Sequence, residues 1–173
     1  TGVDFVVGDM TRWRGKNSPV KYTNFLKKDL VFEGNVACGG RQALIDMKFM
    51  PMSIQALVAR TQWLRETGIT QPEGAVGQDS YFFQQMLYYA DRFAVRRVTA
   101  HTYYAQVENS VVNTINASLL EKYIPLERAR SEWLAAVDLL EEYKQTRLET
   151  FFVGWYLRKL SDVPTSQRAR AIE

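Results

Sequence analysis

Cysteine and long apolar runs are scarce in this sequence. Cys38 is the only cysteine, so no disulfide can form within the chain, which fits a reducing compartment. It has no obvious base near it, so we interpret it as a small buried side chain and not as a nucleophile. No run of about 18 apolar residues occurs, so no segment is predicted to span a membrane. The first residues, Thr1 to Asp4, lack the basic region and apolar core of a secretory signal.

An excess of charge of one sign is also missing. The net charge is +3, which is too small to predict a nucleic-acid partner. The 173 residues, 46% of them hydrophobic, are enough for a domain with a substantial core. Aromatic residues are plentiful, with 9 Tyr, 9 Phe and 4 Trp. They suit a packed core, and they also suit a surface that stacks on sugar rings.

The first part of the chain predicts strands and one short helix. Residues 3–10 are β-branched and apolar and predict a buried strand. Residues 11–29 are polar and basic, and we interpret them as a turn between two extended segments or as a surface loop. Residues 54–58 predict another strand, and residues 61–68 predict a short helix that Gly68 ends.

A longer helix is predicted over residues 80–92. Its apolar face is formed at spacings of three and four by Phe82, Phe83, Met86, Leu87 and Ala90. Asp79 precedes this helix at the position of an N-cap. Residues 93–98 and 102–107 predict two extended segments.

The remainder predicts helices. Pro125 is expected to begin the main helix, because proline is tolerated in the first turn and not in the interior. Residues 148–160 predict a second apolar helical face, which Pro164 ends. The residues that follow are expected to be loose.

Three segments, taken in order, follow a known pattern. Residues 1–12 (TGVDFVVGDMTR) resemble the strand that follows the metal-binding motif in family 2 glycosyltransferases. Residues 56–83 (ALVARTQWLRETGITQPEGAVGQDSYFF) are similar to the acceptor-side region of that family, where a short helix and a loop precede an acidic pair. Residues 90–113 (ADRFAVRRVTAHTYYAQVENSVVN) are similar to the strand pair that comes next. The Gly-Gln-Asp-Ser sequence resembles most the enzymes that build teichoic acid or capsular polysaccharide in bacteria.

This resemblance implies an α/β fold. It predicts the acceptor-side half of a GT-A (nucleotide-diphospho-sugar transferase) domain over residues 1–117, a helical extension over 118–163 and a flexible tail over 164–173. The family holds a divalent metal, Mg or Mn, with an Asp-x-Asp motif, and that motif does not occur in this sequence. We therefore expect the donor half and its metal ligands upstream, in residues outside this chain, and the chain alone to be inactive.

The resemblance assigns Asp79 as the general base of an inverting transfer. Such a base takes the proton of the acceptor hydroxyl as its oxygen attacks the anomeric carbon. The family usually has Glu-Asp here, whereas this chain has Gln78-Asp79, so the carboxylate that acts as base is retained. From the residues alone, a plain helix N-cap is the favoured interpretation of Asp79. The helix dipole would also stabilise the carboxylate and lower its basicity.

Four residues are predicted to bind substrate: Gln78, His101, Tyr103 and Tyr104. His101 would contact the diphosphate or the metal, although a lone histidine beside a strand is more often structural. Tyr103 and Tyr104 point to opposite faces of a strand, so one can pack while the other stacks on a sugar.

The expected partners are a nucleotide-sugar donor and a glycan or lipid-linked acceptor, with no nucleic acid. A homodimer would cover an exposed sheet edge. The aromatic and basic residues of 151–159 allow peripheral membrane contact, although packing on the domain is favoured. We expect a cytoplasmic location, with the inner face of the cell membrane as an alternative. Two other functions stay open: a non-catalytic carbohydrate- or protein-binding module, and a helical partner-binding domain.

Overall fold

The computed structural model describes residues 2–105 and 115–172. The chain divides into two compact units. Unit 1 consists of Thr1–Thr70 and Asp79–Ala105, and unit 2 consists of Gln71–Gln78 and the part of the chain after Ala105. Strands and helices are both present, which confirms the α/β class.

Unit 1 contains a mixed sheet and four helices among its described residues. In chain order the elements are β1 (Phe5–Trp13), β2 (Asn17–Val20), α1 (Tyr22–Asp29), β3 (Val36–Cys38), α2 (Arg41–Asp46), β4 (Leu57–Ala59), α3 (Thr61–Thr67), α4 (Gln78–Tyr89, whose first residue clusters with unit 2) and β5 (Arg92–Tyr104). The strand order is β2-β1-β5-β3, and β4 also pairs with β1. Strand β1 runs parallel to β5 and antiparallel to β2 and β4.

The core of unit 1 is built on the apolar residues of β1 and β5. The rings of Phe5 and Phe93 stack with centroids 4.9 Å apart, and both side chains are buried. Helix α4 adds Phe83, Met86 and Leu87, all fully buried. The apolar face predicted for this helix therefore packs into the core, which positions the beginning of α4.

Several sequence predictions hold. Residues 3–10 contain the buried part of β1, as predicted. The polar stretch after it begins with the turn between β1 and β2, so the interpretation as a turn between two extended segments is the one that holds. Helix α3 ends at Gly68, which has the left-handed conformation (φ 66°) that glycine adopts easily. Pro125 lies in the first turn of the main helix of unit 2, as expected.

Other predictions are wrong. Helix α4 begins at Gln78, so Asp79 is the second residue of its first turn and not an N-cap. The two extended segments predicted around residue 100 are one strand, β5, up to Tyr104. The expected strand over residues 54–58 lies later, at Leu57–Ala59. Cys38 is exposed, at the end of a three-residue strand that pairs with β5 at the edge of the sheet. The Ser-Val-Val-Asn element lies outside the described residues.

Strand β5 bulges where it passes Gly8 of β1. Val7 pairs with Val95, but Asp9 pairs with Thr99 and Met10 with His101, so β5 fits extra residues into the same length of β1. A Cβ at Gly8 would lie 3.0 Å from the Ala100 Cβ. The missing side chain therefore lets the bulged strand approach.

Unit 2 is helical in its described part. Its elements are α5 (Ala117–Glu121), α6 (Ile124–Ala136), α7 (Leu140–Tyr143), α8 (Glu149–Phe151), α9 (Arg158–Leu160) and α10 (Arg168–Ile172), with π-helical turns at Lys144–Leu148 and Phe152–Leu157 and a 3₁₀ turn at Thr165–Gln167. The tail expected to be loose is helical, with Arg170 paired to Glu121 at 2.6 and 2.7 Å.

Candidate functional site

Asp79 is held at the beginning of α4 by a serine from another loop. The Ser53 Oγ donates a hydrogen bond of 3.0 Å to Asp79 Oδ2, and it accepts one of 3.3 Å from the Gln55 N–H. Asp79 is half-buried and lies in the first turn of the helix. The hydrogen bond from Ser53 fixes the orientation of the carboxylate.

Tyr22 contacts the same serine. It is the first residue of α1, and its hydroxyl is within hydrogen-bonding reach of the Ser53 side chain and backbone. Burial is the largest cause that raises the pKa of Tyr22, and the Asp79 carboxylate raises it further. Hydrogen bonding to Ser53 and the positive charge of Arg12 oppose that rise. The phenol is therefore neutral at physiological pH.

Arg12 brings a positive charge to the same place from β1. Its guanidinium lies close enough to the Tyr22 hydroxyl to act on the tyrosine's pKa. Its Nε is buried and has no hydrogen-bond partner among residues 2–105 and 115–172. We call Arg12, Tyr22, Ser53 and Asp79 the Asp79 cluster; all four belong to unit 1.

The Asp79 cluster depends on a buried carboxylate in β1. Asp9 Oδ1 accepts hydrogen bonds from the Thr23 N–H at 3.0 Å and the Thr23 hydroxyl at 2.9 Å. These bonds fix the first turn of α1, and with it Tyr22. Only Asp79 of this cluster was predicted from the sequence. The sequence marks Asp9 in one way: it is a charged residue inside the apolar run of β1.

The predicted substrate-binding residues fall in three places. Tyr103 pairs in register with Arg12, and His101 pairs with Met10, so both lie on the face of the sheet that carries Arg12. Tyr103 is half-buried, and His101 is exposed. Tyr104 lies on the opposite face and is 61% exposed.

Gln78 has a different environment. Its Nε2 donates to the carbonyls of Pro72 and Ala75 at 2.8 and 2.9 Å, so the amide holds the loop before α4. That explains why glutamine suits this position without any ligand. Substrate binding by Gln78, His101, Tyr103 and Tyr104 stays a prediction.

Two cavities lie apart from the Asp79 cluster. One of about 520 Å³ in unit 1 is lined by Cys38, Gln42, Asp46 and Arg92 among others. The other, of about 430 Å³ in unit 2, is largely apolar and is lined by Tyr123, Ile124, Glu127, Phe152 and Tyr156 among others.

Two kinds of feature are absent from the described residues. Over 2–105 and 115–172, no three His, Cys, Asp or Glu side chains are grouped as metal ligands. The same residues include no helix that is both long and apolar enough to cross a membrane.

Comparison with known proteins gives no family assignment. A scan against protein-family models finds no match to the chain, and a search of curated proteins finds none either. The likeness to family 2 glycosyltransferases therefore rests on the sequence segments described above, and the activity is a proposal.

Proposed function

We propose that unit 1 is the acceptor-side half of a GT-A glycosyltransferase of the inverting type, with Asp79 as its general base. The reaction would move a sugar from a nucleotide-diphospho-sugar to an acceptor hydroxyl, in the synthesis of a bacterial cell-surface polysaccharide or teichoic acid. The observation that supports this best is the placement of Asp79: a half-buried carboxylate at a helix terminus, held by Ser53 beside a second hydroxyl and a cation.

The two carboxylate oxygens of Asp79 have different roles in this proposal. Oδ2 accepts the Ser53 hydrogen bond, which fixes the plane of the carboxylate. Oδ1 would take the proton of the acceptor hydroxyl. As that proton leaves, the acceptor oxygen forms a bond to the anomeric carbon, the bond from that carbon to the diphosphate breaks, and the diphosphate departs with the electron pair.

The neutral Tyr22 would orient the acceptor. Its hydroxyl contacts Ser53, so it would line the acceptor site next to Asp79. Tyr103, on the Arg12 face of the sheet, would offer an aromatic surface to a sugar ring. The divalent metal and the nucleotide site belong to the donor half, which we expect outside this chain.

The proposal is tested by Asp79→Asn in the full-length gene product. We expect sugar transfer from a panel of nucleotide sugars to fall by about a hundredfold or more, the scale of a lost general base. Asparagine keeps the size of the side chain and can still accept from Ser53, so the fold should persist.

Asp46→Asn is the matched control, because Asp46 is exposed on α2 and accepts a hydrogen bond from Gln42 of its own helix. We expect the transfer rate of this variant to equal that of the parent. If Asp79→Asn also transfers at the parent rate while remaining folded, Asp79 is a structural residue of α4 and the catalytic assignment fails.

A further inference from the structure

Part of the aromatic segment in unit 2 packs on its own unit. Residues 144–160 form one helical segment of α-helical and π-helical turns. The rings of Trp155 and Tyr156 both contact that of Tyr123, with centroids 4.6 and 5.2 Å from it. The Tyr156 hydroxyl also donates to Glu127 at 3.1 Å. Packing on the domain therefore accounts for these two side chains.

Other apolar side chains of the same segment face outward. Phe152, Val153 and Leu157 are 50%, 57% and 47% exposed, and Ile124 of α6 is 57% exposed. Phe152 and Ile124 line the same apolar cavity of about 430 Å³. We call Ile124, Phe152, Val153 and Leu157 the Phe152 patch. Single exposed apolar side chains are ordinary, whereas a group of them beside an apolar cavity indicates a contact surface.

Exposed arginines border the Phe152 patch. Arg128 lines the same cavity, and Arg158 directly follows Leu157; both are exposed. The 144–160 segment contains four basic residues and one acidic residue: Lys144, Arg147, Arg158, Lys159 and Glu149. Its two lysines pair with acidic residues at the ends of the segment, at 2.7 and 3.6 Å. Arg128 and Arg158 therefore place positive charge at the edge of an apolar surface.

This combination fits the surface of an anionic lipid bilayer. Apolar side chains of a surface-bound helix enter the boundary between headgroups and acyl chains, while arginines beside them contact lipid phosphates. A stable protein interface uses about 20 to 30 residues on each side, far more than the four apolar residues of the patch. A lipid surface needs only a few inserted side chains together with attraction between opposite charges.

We propose that unit 2 binds an anionic lipid bilayer through the Phe152 patch, with Arg128 and Arg158 on the lipid phosphates. The proposal goes beyond sugar transfer and does not depend on Asp79. It divides the aromatic segment between two tasks, because Trp155 and Tyr156 hold it on unit 2 and Phe152 with its exposed neighbours contacts lipid.

The first test measures binding of the 173-residue chain to lipid vesicles by cosedimentation. The vesicles are phosphatidylcholine alone or an equimolar mixture of phosphatidylcholine and phosphatidylglycerol. The parent is compared with a double variant, Val153→Gln with Leu157→Gln, whose fold should persist because both side chains are exposed. The matched control is Val58→Gln with Val98→Gln, at two exposed apolar positions of unit 1.

We expect the parent to bind the anionic vesicles and the Val153 and Leu157 double variant to bind them about tenfold more weakly, because it loses apolar area that enters the bilayer. The control should bind like the parent. If the parent does not bind anionic vesicles, or if the two double variants bind equally, the proposal fails.

The second test concerns the arginines. Arg128→Gln with Arg158→Gln should weaken binding to the anionic vesicles by about tenfold and reduce its dependence on ionic strength, because charges near an anionic surface are screened by salt. Residual binding to phosphatidylcholine alone should stay unchanged. An equal loss on both kinds of vesicle would overturn the assignment of these arginines to anionic lipid.

A second copy of the chain is the other occupant that the Phe152 patch could take. Sedimentation velocity without lipid distinguishes it, because the parent and the Val153 and Leu157 double variant should then have the same oligomeric state. A parent dimer that becomes a monomer in this variant would assign the patch to contact between copies and overturn the proposal.

Discussion

Asp9 caps a helix that begins more than ten residues after it in the sequence. Its Oδ1 accepts from both the N–H and the hydroxyl of Thr23, the second residue of α1. Lys21, at the ordinary capping position, makes no side-chain cap bond and instead places its Nζ 3.4 Å from Asp9 Oδ2. A carboxylate in the central strand therefore fixes the helix that carries Tyr22.

We expect Asp9→Ala to destabilise unit 1 by about 2 to 4 kcal/mol, because it removes a helix cap and leaves two buried donors of Thr23 without a partner. Chemical denaturation measures the loss. Asp46→Ala, at an exposed helical position, should change the free energy of unfolding by no more than about 0.5 kcal/mol. Equal losses in the two variants would show that Asp9 does not stabilise α1.

Gly39 leaves no room for a side chain. A Cβ there would lie 2.4 Å from the Ala90 carbonyl oxygen and 2.6 Å from that of Leu87, both at the end of α4. We expect Gly39→Ala to cost about 3 kcal/mol or more, since backbone and not a flexible side chain must move.

Gly154 offers the opposite case. It lies in a helical segment with no atom within 4 Å of an added Cβ, so Gly154→Ala should leave stability unchanged or raise it by up to about 1 kcal/mol. Thermal unfolding of the Gly39→Ala and Gly154→Ala proteins measures both changes in stability. A Gly39→Ala protein as stable as the parent would contradict the close packing.

Local signals explain which elements could be predicted. Gly68 and Pro125 act on their own turns, so the end of α3 and the beginning of α6 follow from the sequence. Helix α1 could not be predicted, because its cap is Asp9 and the residues before it carry no capping side chain to mark the start.

Residues of the candidate site that depend on distant parts of the chain could not be predicted from the sequence either. Asp79 could be predicted because it follows a loop and opens a helix. Arg12, Tyr22 and Ser53 belong to three separate segments and carry no shared spacing, so only the folded sheet and its flanking loops bring them together. The bulge in β5 could not be predicted either, because it lies against Gly8, which belongs to a different strand.

In unit 2, Glu127 is the centre of a hydrogen-bond network. Its carboxylate accepts from the hydroxyls of Tyr143 and Tyr156 at 3.0 and 3.1 Å and pairs with the buried Arg130. We expect Glu127→Ala to cost about 2 to 4 kcal/mol, because it removes the negative partner of a buried cation. Glu132→Ala, at an exposed position of α6, should cost less than about 0.5 kcal/mol in the same denaturation assay. Similar values for the two variants would contradict the network's role.

Buried tyrosines in unit 2 predict a loss of stability in alkali. Burial raises the pKa of Tyr123 and of Tyr143 to about 12, above the ordinary value near 10. Between these values the unfolded chain has released protons that the folded chain still holds. Stability is therefore intact below about pH 10 and falls as the pH rises toward 12, by at most about 1.4 kcal/mol per pH unit for each tyrosine.

Chemical denaturation from pH 9 to 12 tests this dependence through the slope of stability against pH. Tyr143→Phe should make the slope shallower, because it removes one of the titrating phenols, even though it also removes a bond to Glu127 and lowers stability at every pH. Tyr104→Phe, at a side chain that is mostly exposed, should leave the slope unchanged. A slope that is the same in Tyr143→Phe as in the parent would mean that the alkaline loss arises elsewhere, because a phenol that titrates alike in both states contributes nothing to it.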